Sequence, residues 1–341
     1  MRGAAVKKKV HLRDIADKLG VSVKTVSGAL HGDSIRMAEK TRQRIRALAD
    51  ELGYQPNIVA RGMRQGVMPL IGLVAEGLIT LPFATEIVRS LDNAGRSYGL
   101  SVVATNVGAT RSAEAGVAEA RRFMPKAIAF ATMFHKAVTL PAEALRSINL
   151  TINCFDTSLS VPAIVPDEVQ AAREIVEFCF ARGRRRIAFL NLPGILAGSL
   201  REQGFHEAHK VKGIAVSGGW VLPATRGAHY TEFSSSLVPA HIESLMRQNP
   251  RPDTILCGND RVALEVYGVL NRLGVKIPAD VAVASFDNQS EIARRLDPPL
   301  TTMALPHRAM GRRAAEILAG IHPATQQIER IPFRLVERAS L

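Results

Sequence analysis

The sequence predicts an α/β protein: a small all-α helix-turn-helix head followed by a two-lobed body built on parallel sheets. Three observations predict it. Between residues 12 and 53, apolar residues recur at helical spacing in three short runs closed by glycines. From Leu70 onward, short β-rich apolar runs alternate with amphipathic helical stretches, the pattern of parallel strands covered on both faces. "LSVPAIVPDE" breaks that alternation near 160–168, which divides the body into two lobes. The expected domains are residues 1–66, with a short hinge helix at about 57–65, and residues 67–341. Within the second, one lobe takes about 69–166 with 297–330 and the other about 167–296 with 331–341.

In the head, Leu12, Ile15, Ala16 and Leu19 share one helical face, and Gly20 supplies the left-handed residue that ends the helix. Ser22 is placed to cap a second helix, with Val23, Val26 and Leu30 turned inward and Lys24, Gly28 and His31 on the opposite face. Ile45, Leu48, Ala49 and Leu52 form a third, closed by Gly53. Lys24, Thr25 and Ser27 are donors near the start of the second helix, suited to phosphate oxygens and base edges. Charge points the same way. Residues 1–66 hold 14 Lys/Arg against 6 Asp/Glu, a net +8 of the chain's +13. A basic head on a nearly balanced body suits a polyanion partner. "YQPNIVARGMRQG" then offers a helix too short to stand alone, read either as a hinge that orders against a partner or as a linker.

In the body, strands are expected near "LIGLVA", "LSVVAT", "AIAFAT", "TINCF", "RIAFLNL", "TILC" and "VAVASF". Helices are expected near 83–98, 112–123, 168–182, 199–209, 234–248, 260–273 and 307–319. Ligands of open parallel sheets sit beyond the carboxyl ends of the strands. The polar residues there are Asp156, Asn191, Asn259–Asp260 and Asp287–Asn288, each also open to reading as a turn former. Together with an arginine fork and an apolar wall at Phe83, carboxylates and amides suit a neutral polyol or sugar. His135 is read as facing this cleft or as a core or surface histidine.

Other classes are excluded by absence of pattern. There is no GxGxxG after a strand, no P-loop, no nucleophile elbow and no metal-ligand spacing, so no catalytic, cofactor or metal site is expected. Cys154, Cys179 and Cys257 are far apart and read as buried, reduced thiols. The basic N-terminus lacks an apolar signal core, and no run reaches the ~18 residues of a membrane span, so a cytoplasmic protein with no membrane contact is expected.

"LRDIADKLGVSVKTVSGALHG…EKTRQRIRALADELGYQPNIVARGMRQG" resembles the head of the lactose-repressor (LacI/GalR) family of bacterial transcription regulators. The likeness continues through "IGLVAEGLITLPFATEIVRSLDNAGRSYGLSVV", "RPDTILCGNDRVALEVYGVLNRLGVKIPADVAVASFDN" and "DPPLTTMALPHRAMGRRAAEIL". It implies a periplasmic-binding-protein-like body and a homodimer on a pseudo-palindromic double-stranded operator. The second helix, from Ser22 and Val23 to His31, would lie in the major groove, and the hinge would present Asn57, Ala60, Arg61 and the apolar wedge Met63 to the minor groove. Arg201, Asn259, Asp287 and Asp156 match the family's effector-binding positions. Three departures stand out. Gly28 replaces a base-reading arginine, either as a lost base contact or as a close approach without room for a Cβ. Ala84 replaces a second aromatic, and "VPDEVQAA" replaces the usual Asp-Asn-x-x-Gly. No heptad follows Leu335, so a dimer is expected. The function implied is a repressor whose operator affinity is set by a sugar or sugar derivative. The alternative is a sugar sensor whose basic head binds nucleic acid only non-specifically.

Overall fold

The computed structural model describes residues 10–31, 37–54, 62, 66–78, 85–216, 219–227 and 234–341. The chain divides between Gln65 and Gly66 into two compact units.

The first unit contains α1 (Leu12–Leu19), α2 (Val23–His31) and α3 (Glu39–Glu51). The His11 backbone N–H donates to Asp14 Oδ2 at 2.7 Å, closing the start of α1, and Gly20 ends it at φ 64°. Ser22 Oγ accepts from the Thr25 backbone N–H at 3.0 Å, the capping bond expected at the start of α2. Ile15, Ala16, Val26, Ala29, Ile45 and Ala49 form the core, with Leu12, Leu19, Leu30, Leu48 and Leu52 packed around it. One expectation is corrected. Val23 does not point inward but is 44% exposed, while Ala29, and with it Ser27 and Gly28, are buried. The apolar stripe of α2 is therefore rotated toward Val26 and Ala29. In so short a helix, a first-turn valine is free to leave the core when an alanine can pack more closely.

The second unit runs β1 (Met68–Glu76), α4 (Thr85–Ser97), β2 (Ser101–Val107), α5 (Ala113–Arg122), β3 (Pro125–Val138), α6 (Ala142–Leu145), β4 (Leu150–Asp156) and β5 (Ala163–Pro166). It continues with α7 (Glu168–Ala181), β6 (Ile187–Asn191), α8 (Leu196–Lys212), β7 (Val221–Pro223), β8 (Thr225–Arg226), β9 (Ser235–Ser236), α9 (Val238–Met246), β10 (Thr254–Cys257), α10 (Asp260–Arg272), β11 (Ala282–Asp287) and α11 (Ser290–Ala293). Last come β12 (Thr301–Ala304), α12 (His307–Ala319), β13 (Ile328–Ile331) and β14 (Arg334–Val336). One sheet has the order β13-β5-β4-β3-β1-β2, parallel throughout. The other has the order β14-β12-β11-β10-β6-β7, parallel except for the antiparallel edge pair β12–β14.

Two boundaries differ from the sequence reading. Residues 163–166, taken as part of a break, form a fully buried strand. Pro166 ends it and Ile164 and Val165 sit between the prolines, so the ladder loses little. Residues 301–304, assigned to the first lobe, pair with β11 in the second sheet. The chain thus crosses between lobes three times, after β5, after β12 and after β13. Helix α12 returns to the first lobe and packs closely on α4. A Cβ on Gly311 would strike Ser90 Oγ and the Ile87 carbonyl oxygen. The three cysteines are buried, and burial pushes the Cys154 and Cys179 thiols up to about 12.

Candidate functional site

The carboxyl ends of the two sheets face a cleft lined by Met133, Phe134, His135 and Asn153 from the first lobe and by Glu168, Arg201 and Asp287 from the second. The second-lobe wall is assembled by close helix packing. Helix α8 lies so near α7 that a Cβ on Gly204 would collide with the Val169 carbonyl oxygen. That approach sets Arg201, near the start of α8, against Glu168, the first residue of α7. Arg201 Nε donates to Glu168 Oε2 at 2.7 Å, its Nη1 to the Gly258 carbonyl oxygen, and its Nη2 to Asp287 Oδ1 at 3.5 Å. The guanidinium also stacks over Phe286, with Cζ 4.5 Å from the ring centre.

These charges are buried, so their protonation follows from what surrounds them. Burial alone would raise Glu168, but the Arg201 charge and the nearby His135 ring outweigh it and hold the carboxyl below its ordinary value. Burial and the Glu168 charge push Asp287 up against the opposing pull of Arg201. Asp287 is followed by Asn288 in a strained turn with φ 103° and 54°. Asp260 anchors that turn from behind. Its Oδ2 accepts from the Gln289 backbone N–H at 2.6 Å, and its Oδ1 accepts from Thr302 Oγ1 at 2.9 Å and from Ser285 Oγ. Burial, reinforced by the charge of Asp287, lifts Asp260 to about 7.

Of the residues expected at this site, the structure places Arg201 and Asp287 on the cleft wall and gives others different work. Asp156 accepts from the Leu140 and Ser158 backbone N–H groups, each at 2.8 Å, and holds a turn. Asn259 caps α10, accepting from the Val262 N–H at 2.9 Å. Asn191 ties the start of α8, donating to Glu202 Oε2 at 2.9 Å. None of the three lines the cavity. Phe83 lies outside the described residues. Glu168 lies where "VPDEVQAA" departs from the family pattern and follows a stretch read as a break, although an acidic residue opening an expected helix was a usable signal.

On the head, Ser22, Val23 and Lys24 are exposed at the start of α2 and Thr25 is half-buried, while Ser27 and Gly28 are buried. The His31 side chain and residues Asn57, Ala60, Arg61 and Met63 lie outside the described residues. Among those described, no group of His, Cys, Asp and Glu is arranged to hold a metal, and no helix is long and apolar enough to cross a membrane.

Residues 11–57 match the lacI family of bacterial regulatory proteins, and residues 176–341 match the periplasmic binding protein-like domain. The sucrose operon repressor of Escherichia coli is 35% identical over 337 residues, covering 96% of this chain and 99% of the relative. The chain belongs to the lacI family. It is a DNA-binding transcriptional regulator rather than an enzyme. The lac repressor dimer, solved with operator and the anti-inducer ONPF, shares its fold with this regulator at a TM-score of 0.69 and 23% identity, covering 98% of this chain and 99% of that one. The transcriptional regulator CelR, solved with cellobiose, does so at a TM-score of 0.63 and 24% identity, over 97% and 100%.

Proposed function

We propose that this regulator is a cytoplasmic homodimeric repressor that docks two heads on a pseudo-palindromic operator and releases or holds it according to a neutral saccharide in the cleft. The observation that carries the ligand half is the charge balance of the second-lobe wall. Arg201 is already compensated by Glu168 and Asp287, so an anionic ligand finds no free cation to neutralise there. A polyhydroxylated neutral ligand instead gains directed acceptors and donors in a dry site. The cavity between the walls is the place for such a ligand. Binding there shifts the lobes toward the arrangement that holds the ligand better, and operator affinity follows that shift. On the head, Lys24 and Val23 are the described side chains placed to meet base edges, and their exposure supports the docking of α2 in the major groove.

The test is fluorescence anisotropy on a duplex selected from random sequence by the protein itself. Affinity on the order of nanomolar at physiological salt, changed by sucrose, fructose or glucose, is the expected result. Uniformly weak, salt-driven binding to all duplexes would leave only a sensor with a non-specific head.

A further inference from the structure

We infer that His135 is the first lobe's ligand-contact residue, and that with Glu168 it forms a slot selecting one saccharide hydroxyl. This rests on the saccharide reading of the cleft and goes beyond it by naming the group that discriminates among sugars.

The backbone is built to deliver this side chain. Strands β3 and β4 are in register at Ala131↔Ile152 and again at Lys136↔Cys154, so four residues of β3 bulge out opposite one of β4. The bulge is tied internally. Thr132 Oγ1 donates to the carbonyl oxygens of Phe134 at 2.9 Å and Asn153 at 3.0 Å, and Asn153 Nδ2 donates back to Thr132 O at 3.1 Å. Phe134 from this bulge packs against the second lobe's core, and His135 is driven into the cleft at its side.

His135 is 5% exposed, and both of its ring nitrogens are buried with no hydrogen-bond partner. A histidine kept for packing would be tied to a carbonyl, as His209 Nδ1 is to Phe205 O at 2.8 Å. Its Nδ1 instead stops 3.8 Å from Glu168 Oε1, across the cleft and beyond hydrogen-bond length. Arg201 holds the other carboxylate oxygen, leaving Oε1 facing the imidazole. When the lobes part by roughly 1 Å, the gap reaches the ~4.5 Å spanned by two hydrogen bonds meeting at one oxygen. A hydroxyl then accepts from the imidazole N–H and donates to Glu168. Neither an ether oxygen nor an ammonium can do both.

The test is calorimetric titration of the full chain with sucrose, glucose, fructose and their monodeoxy analogues, for wild type, His135→Leu and His135→Gln, with melting temperatures alongside. His135→Leu should stay folded with a melting temperature close to that of wild type, yet bind at least tenfold more weakly. One deoxy analogue should cost wild type a similar factor and cost His135→Leu nothing further. His135→Gln, which keeps a donor and an acceptor, should recover part of the affinity. If both variants bind every analogue as wild type does, the slot is wrong and the saccharide reading stands. A lowered melting temperature in both variants with unchanged sugar selectivity makes His135 a packing residue and overturns the inference. If wild type binds none of these sugars, both readings fall.

Discussion

The two walls of the cleft are built on opposite principles. The second-lobe wall is electrostatically complete before any ligand arrives: Arg201, Glu168 and Asp287 satisfy one another at the junction of α7, α8 and β11. The first-lobe wall is complete only in its backbone, where Thr132 and Asn153 tie a bulge that offers an imidazole without a hydrogen bond. A finished wall holds the ligand's orientation, and an unfinished one supplies the difference between one ligand and the next. Specificity is stronger where a polar group is left unpaired by the wrong ligand.

The largest way to break this contrast is to open the finished wall. Arg201→Ala leaves Glu168 and Asp287 as buried carboxylates without their shared cation, and should cost about 3–5 kcal/mol in urea denaturation. A loss under 1 kcal/mol would mean that the wall is not a stability element and that Arg201 serves the ligand alone. The second effect is pH-dependent. Asp260 titrates at about 7 in the folded chain against an ordinary 3.8, so folding favours its protonated form. The stabilisation is full below pH 3.8 and is lost as pH rises through about 7, a change of up to about 4 kcal/mol. Denaturation midpoints followed from pH 4 to 8 should show this fall in wild type and a flatter profile in Asp260→Asn. Parallel profiles would remove Asp260 as the titrating group. The smallest effect tests the unfinished wall. Thr132→Val keeps the shape but removes the hydroxyl that bonds Phe134 and Asn153, and should cost about 1 kcal/mol while weakening sugar binding more than operator binding. Equal weakening of both would show that the bulge supports the whole body rather than the cleft.

How far the sequence revealed these walls depends on which signals are local. Asp287 was legible because it ends a strand, where the strand-end rule places ligands, and Arg201 was legible only through the family resemblance. Asp156 and Asn259 obey the same rule but serve a turn and a cap, since residues that suit strand ends also suit turns. His135 was not separable from a core histidine, because its position depends on a register shift against β4 that has no signature in β3 alone. The short strands at 301–304, 328–331 and 334–336 were likewise invisible. Their pairing partners lie far along the chain, and three or four residues show no period. The phase of α2 was misjudged for a related reason: valine was ranked inward by hydrophobicity, whereas close helix packing preferred Ala29.

The threefold crossing between lobes also bears on how the chain acquires its shape as it is made. The first lobe cannot be finished by the residues that begin it. Its edge strand β5 awaits β13, and the apolar face of α4 awaits α12, both synthesised after all of the second lobe's strands except β14. Ile87 and Leu91, with no exposed surface in the finished fold, are thus uncovered on their α12 side while some two hundred residues are added. Contacts of such long sequence separation slow folding and leave an open strand edge and an oily helix face in the interim. The interval before residue 307 emerges is therefore when this regulator is most exposed to aggregation and to chaperone capture.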